Sequence, residues 1–219
     1  MKSLPLYLLT IAISITLLIL TSCDGHHDVI DTSIQPGHIL LTTGQAISPD
    51  EYKANGGTPI AVVFYTSQTT DGNGTGYAVY LHDIDKNTFT DSIGIKQNTS
   101  ADITTFDGNT NTYAMFTSGI SPIADAVYDM WQYGQSAYIP SVAQLRLLYS
   151  AKESINPYIE LCGGTPLPDS ADECWYWSST EVEGQEMYKA WLYSMGSGAI
   201  QETPKEQKHK VRPIVTLNN

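Results

Sequence analysis

The chain has 219 residues, 23 of them Asp or Glu against 11 Lys or Arg, for a formal charge of −12. That balance disfavours nucleic acid and anionic membrane surfaces as partners, because both require clustered Lys and Arg. Hydrophobic residues make up 42% of the chain, ordinary for a globular domain, and 14 Tyr against 4 Phe weight the aromatics toward side chains that suit half-exposed surfaces. Strand-rich packing is the plainer account of the same tyrosines.

In chain order, Lys2 precedes an apolar run over residues 4–20, and Leu20-Thr21-Ser22-Cys23 reads as a lipobox. Residues 1–22 are therefore expected to be a lipoprotein signal peptide, with Cys23 lipidated as the mature first residue and the lipid as the membrane partner. An uncleaved anchor is the alternative, since the run approaches the roughly 20 residues that span a bilayer. Residues 23–35 read as lipidated cysteine plus flexible tether, having little apolar content and no periodicity. The Gly25-His26-His27-Asp28 run within it offers metal-ligating side chains, but a solvated tether accounts for it, and no metal or cofactor is expected. Residues 36–219 suffice for a single domain with a full core.

Residues 37–41 form a short apolar strand that turns at Thr43-Gly44, and residues 59–65 are a continuous β-branched run expected to be buried on both faces. A glycine-rich turn at residues 71–76 and a strand-like stretch at 77–81 complete a hairpin. Asp71, Asn73, Thr75 and Gly76 mimic calcium-loop positions, but His82 stands where a bidentate Glu is needed, so the turn is the simpler reading. Residues 85–112 read as a long polar loop. Residues 123–133 have helical spacing, with Ile123, Val127, Met130 and Trp131 on one stripe.

Ser141 with Gln144 makes a capping box for the next helix, whose apolar face is Leu145, Leu148 and Tyr149. Asn156-Pro157 reads as the start of a further helix closed by Gly163-Gly164. Strands resume at residues 175–178, 188–193 and 211–217. Cys162 and Cys174 are an even pair in an exported chain and read as a disulfide, with two free thiols as the alternative. Strands, then helices, then strands give an α+β domain: a mostly antiparallel twisted sheet, two or three flanking helices, and the first and last strands adjacent.

Three fragments carry a resemblance: Tyr138-Ile139-Pro140-Ser141, Tyr176-Trp177-Ser178-Ser179-Thr180-Glu181, and Val211-Arg212-Pro213-Ile214. Together they resemble the C-type lectin-like domains of bacterial surface lipoproteins, collagen-like adhesins and the variable proteins of diversity-generating retroelements. Gly37-His38-Ile39-Leu40 and Pro59-Ile60-Ala61-Val62-Val63-Phe64 look like that family's opening strands. The resemblance implies a C-type lectin-like fold, an outer-membrane or cell-surface location, and a display surface in place of an active site. Ser141, Trp175, Trp177, Ser178, Ser179 and Arg212 are expected to be framework residues, the guanidinium tying carbonyls or a carboxylate.

In retroelement-diversified relatives the segment corresponding to residues 181–210 contacts ligand. It contains no Asn here, which argues against diversification of this copy. It offers Tyr188, Lys189, Gln201, Lys205, Gln207, Lys208 and His209 as ligand-binding candidates. Trp191 and Tyr193 share one strand face that is expected to be buried, and Tyr188 points the other way. The Lys205 to Arg212 cluster suits an acidic glycan, or else is a solvated hairpin partnered by Glu202 and Glu206. The expected function is a lipid-anchored, adhesin-like binding module for glycan or protein. A structural or assembly subunit of a fimbria or envelope complex is the alternative. A catalyst like the formylglycine-generating enzymes ranks below both, because the reactive cysteine pair that chemistry needs is not evident. No Walker, dinucleotide or zinc-protease motif is present.

Overall fold

A computed structural model describes residues 34–67, 75–130, 136–170 and 174–218. The leader, Cys23, the Gly25–Asp28 run, most of the tether, residues 71–74 and residues 131–135 lie outside the described residues. The chain divides between Ser33 and Ile34, and every described residue belongs to the unit Ile34–Asn219.

The fold is α+β, with two five-stranded sheets and four helices among the described residues. The first sheet runs β10-β4-β3-β1-β2, from β1 (Ile39–Leu41), β2 (Ala46–Ile47), β3 (Pro59–Ser67), β4 (Thr75–Tyr80) and β10 (Ile214–Asn218), all pairs antiparallel. The second runs β5-β9-β6-β7-β8, from β5 (Ile84–Thr88), β6 (Trp175–Glu181), β7 (Lys189–Ser194), β8 (Ile200–Pro204) and β9 (Lys208–Val211). It is antiparallel except where β9 meets β6 in parallel at Tyr176 and Lys210.

The β3 run is buried on both faces because its alternate residues serve two cores. Ala61 and Val63 join Tyr80, Phe89, Met115, Ile123 and Trp177 on one side. Val62 and Phe64 join Val79, Leu145, Leu148, Ile155 and Tyr176 on the other. With a side-chain period of two, one strand thus separates two apolar layers. Helix α4 (Val142–Leu161) covers the second layer and packs on β3, while α2 (Gly108–Ser118) and α3 (Pro122–Tyr128) cover the first.

Several expectations are corrected. The first and last strands share a sheet but are not adjacent, since β3 and β4 stand between β1 and β10. The run 211–217 is two strands, not one: Pro213 has no N–H to continue the ladder, and the chain leaves the second sheet at Val211 to enter the first at Ile214. Residues 85–112 are not one loop, for they hold most of β5 and the start of α2, whose Asn- and Thr-rich sequence carries almost no amphipathic signal. Helix α1 (Pro49–Asn55) begins behind Ser48, whose hydroxyl oxygen accepts from Glu51 N at 3.2 Å. Asn156-Pro157 starts no helix. The α4 backbone passes through Pro157, and the Asn156 amide turns outward to clasp Leu167 N and O at 2.9 and 3.0 Å. Of the hairpin or loop readings of residues 201–210, the connection is the latter: β8 and β9 do not pair, because they lie on opposite sides of β6 and β7.

Candidate functional site

The frame of the site is β6. Trp177 faces Leu192 and Glu181 faces Ala190, so Ser178, Ser179 and Thr180 bulge opposite Trp191 alone. The bulge swings this strand onto the start of α4. Ser179 N donates to Pro140 O at 2.9 Å, Val142 N donates to Thr180 Oγ1 at 3.3 Å, and Ser178 Oγ donates to Trp191 O at 2.8 Å. The Ser179 hydroxyl is buried without a hydrogen-bond partner among the described residues. Trp177 is fully buried, its indole N–H donating to Asn87 O at 3.1 Å, and Trp175 is half-buried against both cores.

The capping box of α4 is closed in both directions. Gln144 N donates to Ser141 Oγ at 3.4 Å and Ser141 N donates to Gln144 Oε1 at 3.0 Å. The same oxygen receives Gly108 N at 3.2 Å, so one glutamine caps α4 and fixes the entry of α2. A side chain at Gly108 would meet Gln144 Oε1 at 2.3 Å and Ile139 O at 2.7 Å, which is why only glycine fits.

Arg212 is wholly buried, Nη1 donating to Leu81 O at 3.1 Å and lying 3.2 Å from Asp83 Oδ1, while Nη2 donates to Thr165 O. Burial pulls its pKa below the ordinary guanidinium value, and Asp83 opposes that pull. Asp83 also accepts from Tyr176 OH at 3.1 Å and lies 3.5 Å from Lys210 Nζ.

Lys205 is corrected from ligand contact to framework. It is fully buried, its ammonium paired with the equally buried carboxylate of Glu181 and donating to Glu186 O at 2.6 Å, with the Phe89 ring 5.1 Å away. Desolvation lowers its pKa, and Glu181 works against that shift. Glu181 further accepts from Gln97 N at 2.9 Å, Thr99 N at 3.2 Å and Thr99 Oγ1 at 3.0 Å. The Glu181–Lys205 pair therefore ties the 97–99 loop, the 182–188 turn and the β8–β9 connection together, and each carboxylate oxygen takes two donors.

The other candidates scatter. Tyr188 is 53% exposed, but it lies in the turn before β7 and not on the strand expected over 188–193, so the turn and not strand alternation directs it outward. Lys189 is half-buried and pairs with Glu202 at 3.1 Å. Gln201, Gln207 and Lys208 are exposed on separate strands or turns. His209 is half-buried with its ring edge-on to Trp177 at 5.3 Å, and burial with Lys86 nearby lowers its pKa. With Lys205 internal and Lys210 facing Asp83, the basic cluster expected for an acidic glycan is not assembled at one place.

The expected Cys162–Cys174 disulfide is also corrected, since no bridge joins the two cysteines. Cys162 caps the end of α4, whereas the Cys174 sulfur sits 3.2 Å from Ser194 Oγ beside β7. Burial pushes the Cys162 thiol up to about 11, which keeps it in the unreactive protonated form.

What sequence reasoning missed lies against the 182–188 turn. Gly94 N donates to Met187 O at 3.0 Å and Lys96 Nζ lies 3.2 Å from Glu186 Oε2, so the 93–96 loop and the turn form one surface. Ile93, Ile95, Met187 and Tyr188 all stand out of it. Two isoleucines inside an otherwise polar stretch were the available signal. Beside them, Trp191, Val182, Asp102, Glu183, Glu186 and Glu202 line a groove of about 620 Å³. A second cleft, of about 520 Å³, lies between α2 and α3 beside Tyr113, Phe116 and Tyr128. No protein-family model matches the chain, and no curated protein matches it in sequence.

Proposed function

We propose that this protein is a lipid-anchored module of the cell envelope, carried on Cys23 and displayed from the outer membrane or cell surface, that binds a ligand through one face of a C-type lectin-like domain. The observation that carries the binding role is the apolar cluster of Ile93, Ile95, Met187 and Tyr188, four exposed side chains on loops pinned from beneath by the buried Glu181–Lys205 pair. Exposed apolar side chains gathered on rigid loops are the usual form of an interaction site. The β6 bulge, the closed capping box and the Arg212 cradle support the lectin-like framework, leaving the sequence between the motifs free to vary. The raised pKa of Cys162 and the burial of Cys174 favour binding over formylglycine-type chemistry.

The test is a screen of the full-length protein, held in detergent, against immobilised glycans and envelope or matrix proteins, beside Tyr188→Ala. Binding that Tyr188→Ala abolishes supports the reading, and binding to none of them sinks it. The same apolar cluster also suits a permanent partner within a fimbria or envelope complex, and co-purification of a stoichiometric second chain would favour that assembly role.

A further inference from the structure

The apolar cluster adjoins the groove where Glu186, which lines the groove, precedes Met187 in the chain, and the two differ in character. Ile93, Ile95, Met187 and Tyr188 are between 40% and 53% exposed. The groove is walled by four carboxylates, from Asp102, Glu183, Glu186 and Glu202, with the Trp191 indole among them. Among the described residues two cations form ion pairs with those four, Lys96 at 3.2 Å from Glu186 and Lys189 at 3.1 Å from Glu202, while the nearby Lys205 is taken up by Glu181. Hydrogen bonds from the Thr104 hydroxyl and backbone lower the pKa of Asp102, so it stays ionised. The groove therefore keeps an excess of negative charge next to an apolar shelf, on a chain whose formal charge is already −12.

The geometry points to a protein segment that is both apolar and basic as the occupant of this surface: aliphatic or aromatic side chains on the shelf, with a Lys or Arg reaching into the groove between the carboxylates and the Trp191 ring. This rests on the binding role proposed above and specifies the partner's chemistry. Charge complementarity selects it. A carboxylate-lined groove repels acidic glycans and anionic lipid headgroups and steers a cationic side chain inward, and an indole face adds a further attraction for ammonium or guanidinium. The shelf supplies the apolar anchor that fixes such a segment in register. Preformed loops lower the ordering cost, since Glu181 and Lys205 already hold both.

The experiment uses the full-length protein in detergent and an array of synthetic peptides whose net charge is graded at constant apolar content, alongside sulfated and sialylated glycans. Retention is expected to rise with positive charge, to require the apolar side chains, and to weaken as salt is raised. Met187→Asp on the shelf and Glu183→Lys in the groove should each weaken peptide binding about tenfold or more. Their unfolding midpoints should match the parent, because both positions are at the surface. Peptide binding that is indifferent to charge, or unchanged by both substitutions, overturns the inference. If glycans bind in a Tyr188-dependent way and no peptide does, the partner chemistry falls and the binding role stands; if neither class binds, both fall.

Discussion

Glu181 and Lys205, 24 residues apart in the chain, form an ion pair closed off from water, with side-chain exposures of 1% and 0%. Such a pair contributes little net attraction once desolvation is subtracted, yet removing one partner strands the other. Glu181→Ala is expected to destabilise the domain by about 3–5 kcal/mol, and the double substitution Glu181→Leu with Lys205→Met to recover most of that loss. Denaturant unfolding of the three proteins checks it. A single substitution costing no more than the double would show the pair to be solvated.

Two neighbouring serines should respond in opposite ways. Ser178 donates to Trp191 O, so Ser178→Ala leaves a buried carbonyl short of a donor and is expected to cost about 1–2 kcal/mol. The Ser179 hydroxyl is buried with no partner among the described residues, so Ser179→Ala is expected to leave stability unchanged or raise it by about 1 kcal/mol. Thermal or urea midpoints of the two variants decide this, and equal losses at both positions would contradict it.

Pro157 sits inside α4 on its exposed side, where it deprives the helix of one backbone donor and crowds the preceding turn. Pro157→Ala restores the donor but gives the unfolded chain more freedom. The balance is a gain of about 2 kcal/mol in unfolding free energy. A loss of stability would mean that the proline is accommodated without strain.

His209 has a pKa below its ordinary 6.5 because burial disfavours the imidazolium and Lys86 repels it. The unfolded chain then takes up the proton at higher pH than the folded one. The stabilising contribution is fully present above 6.5 and is lost as pH falls through the folded value. His209→Gln cannot titrate, so the stability of the parent relative to this variant should fall on acidification from neutrality. A difference that stays constant with pH would exclude the linkage.

Local signals in the sequence carried the fold well where chemistry is local. The β-branched run of β3, the Ser141–Gln144 box and the alternation around Trp177 each announce a strand or helix within a few residues. Helix α1 was equally legible in Ser48-Pro49 with Glu51 behind it, though it stood outside the elements expected. Helix α2 was not, because its Asn and Thr residues are chosen for bonds to distant groups: Asn111 Oδ1 accepts from Ser100 N, and Thr112 Oγ1 accepts from Ile139 N. The site was the least legible part. Lys205 looks like any surface lysine until Glu181 is brought to it, and the Ile93–Ile95 loop gains meaning only when Met187 and Tyr188 arrive beside it. Those relations are set by topology, which periodicity does not encode.

The handover at Pro213 has a consequence for when this domain can exist. Val211 completes one sheet, Ile214 begins the closing strand of the other, and Arg212 between them clamps Leu81 O and Thr165 O. Residues 211–218 follow every other described element in the chain and supply Val211, Val215 and Leu217 to one core and Ile214 to the other, so neither core can close without them. Long-range closure of this kind slows folding and defers it until the last strand is in place. A chain interrupted before Val211 should accumulate as a protease-sensitive collapsed form, and the finished chain should acquire resistance in a single late step.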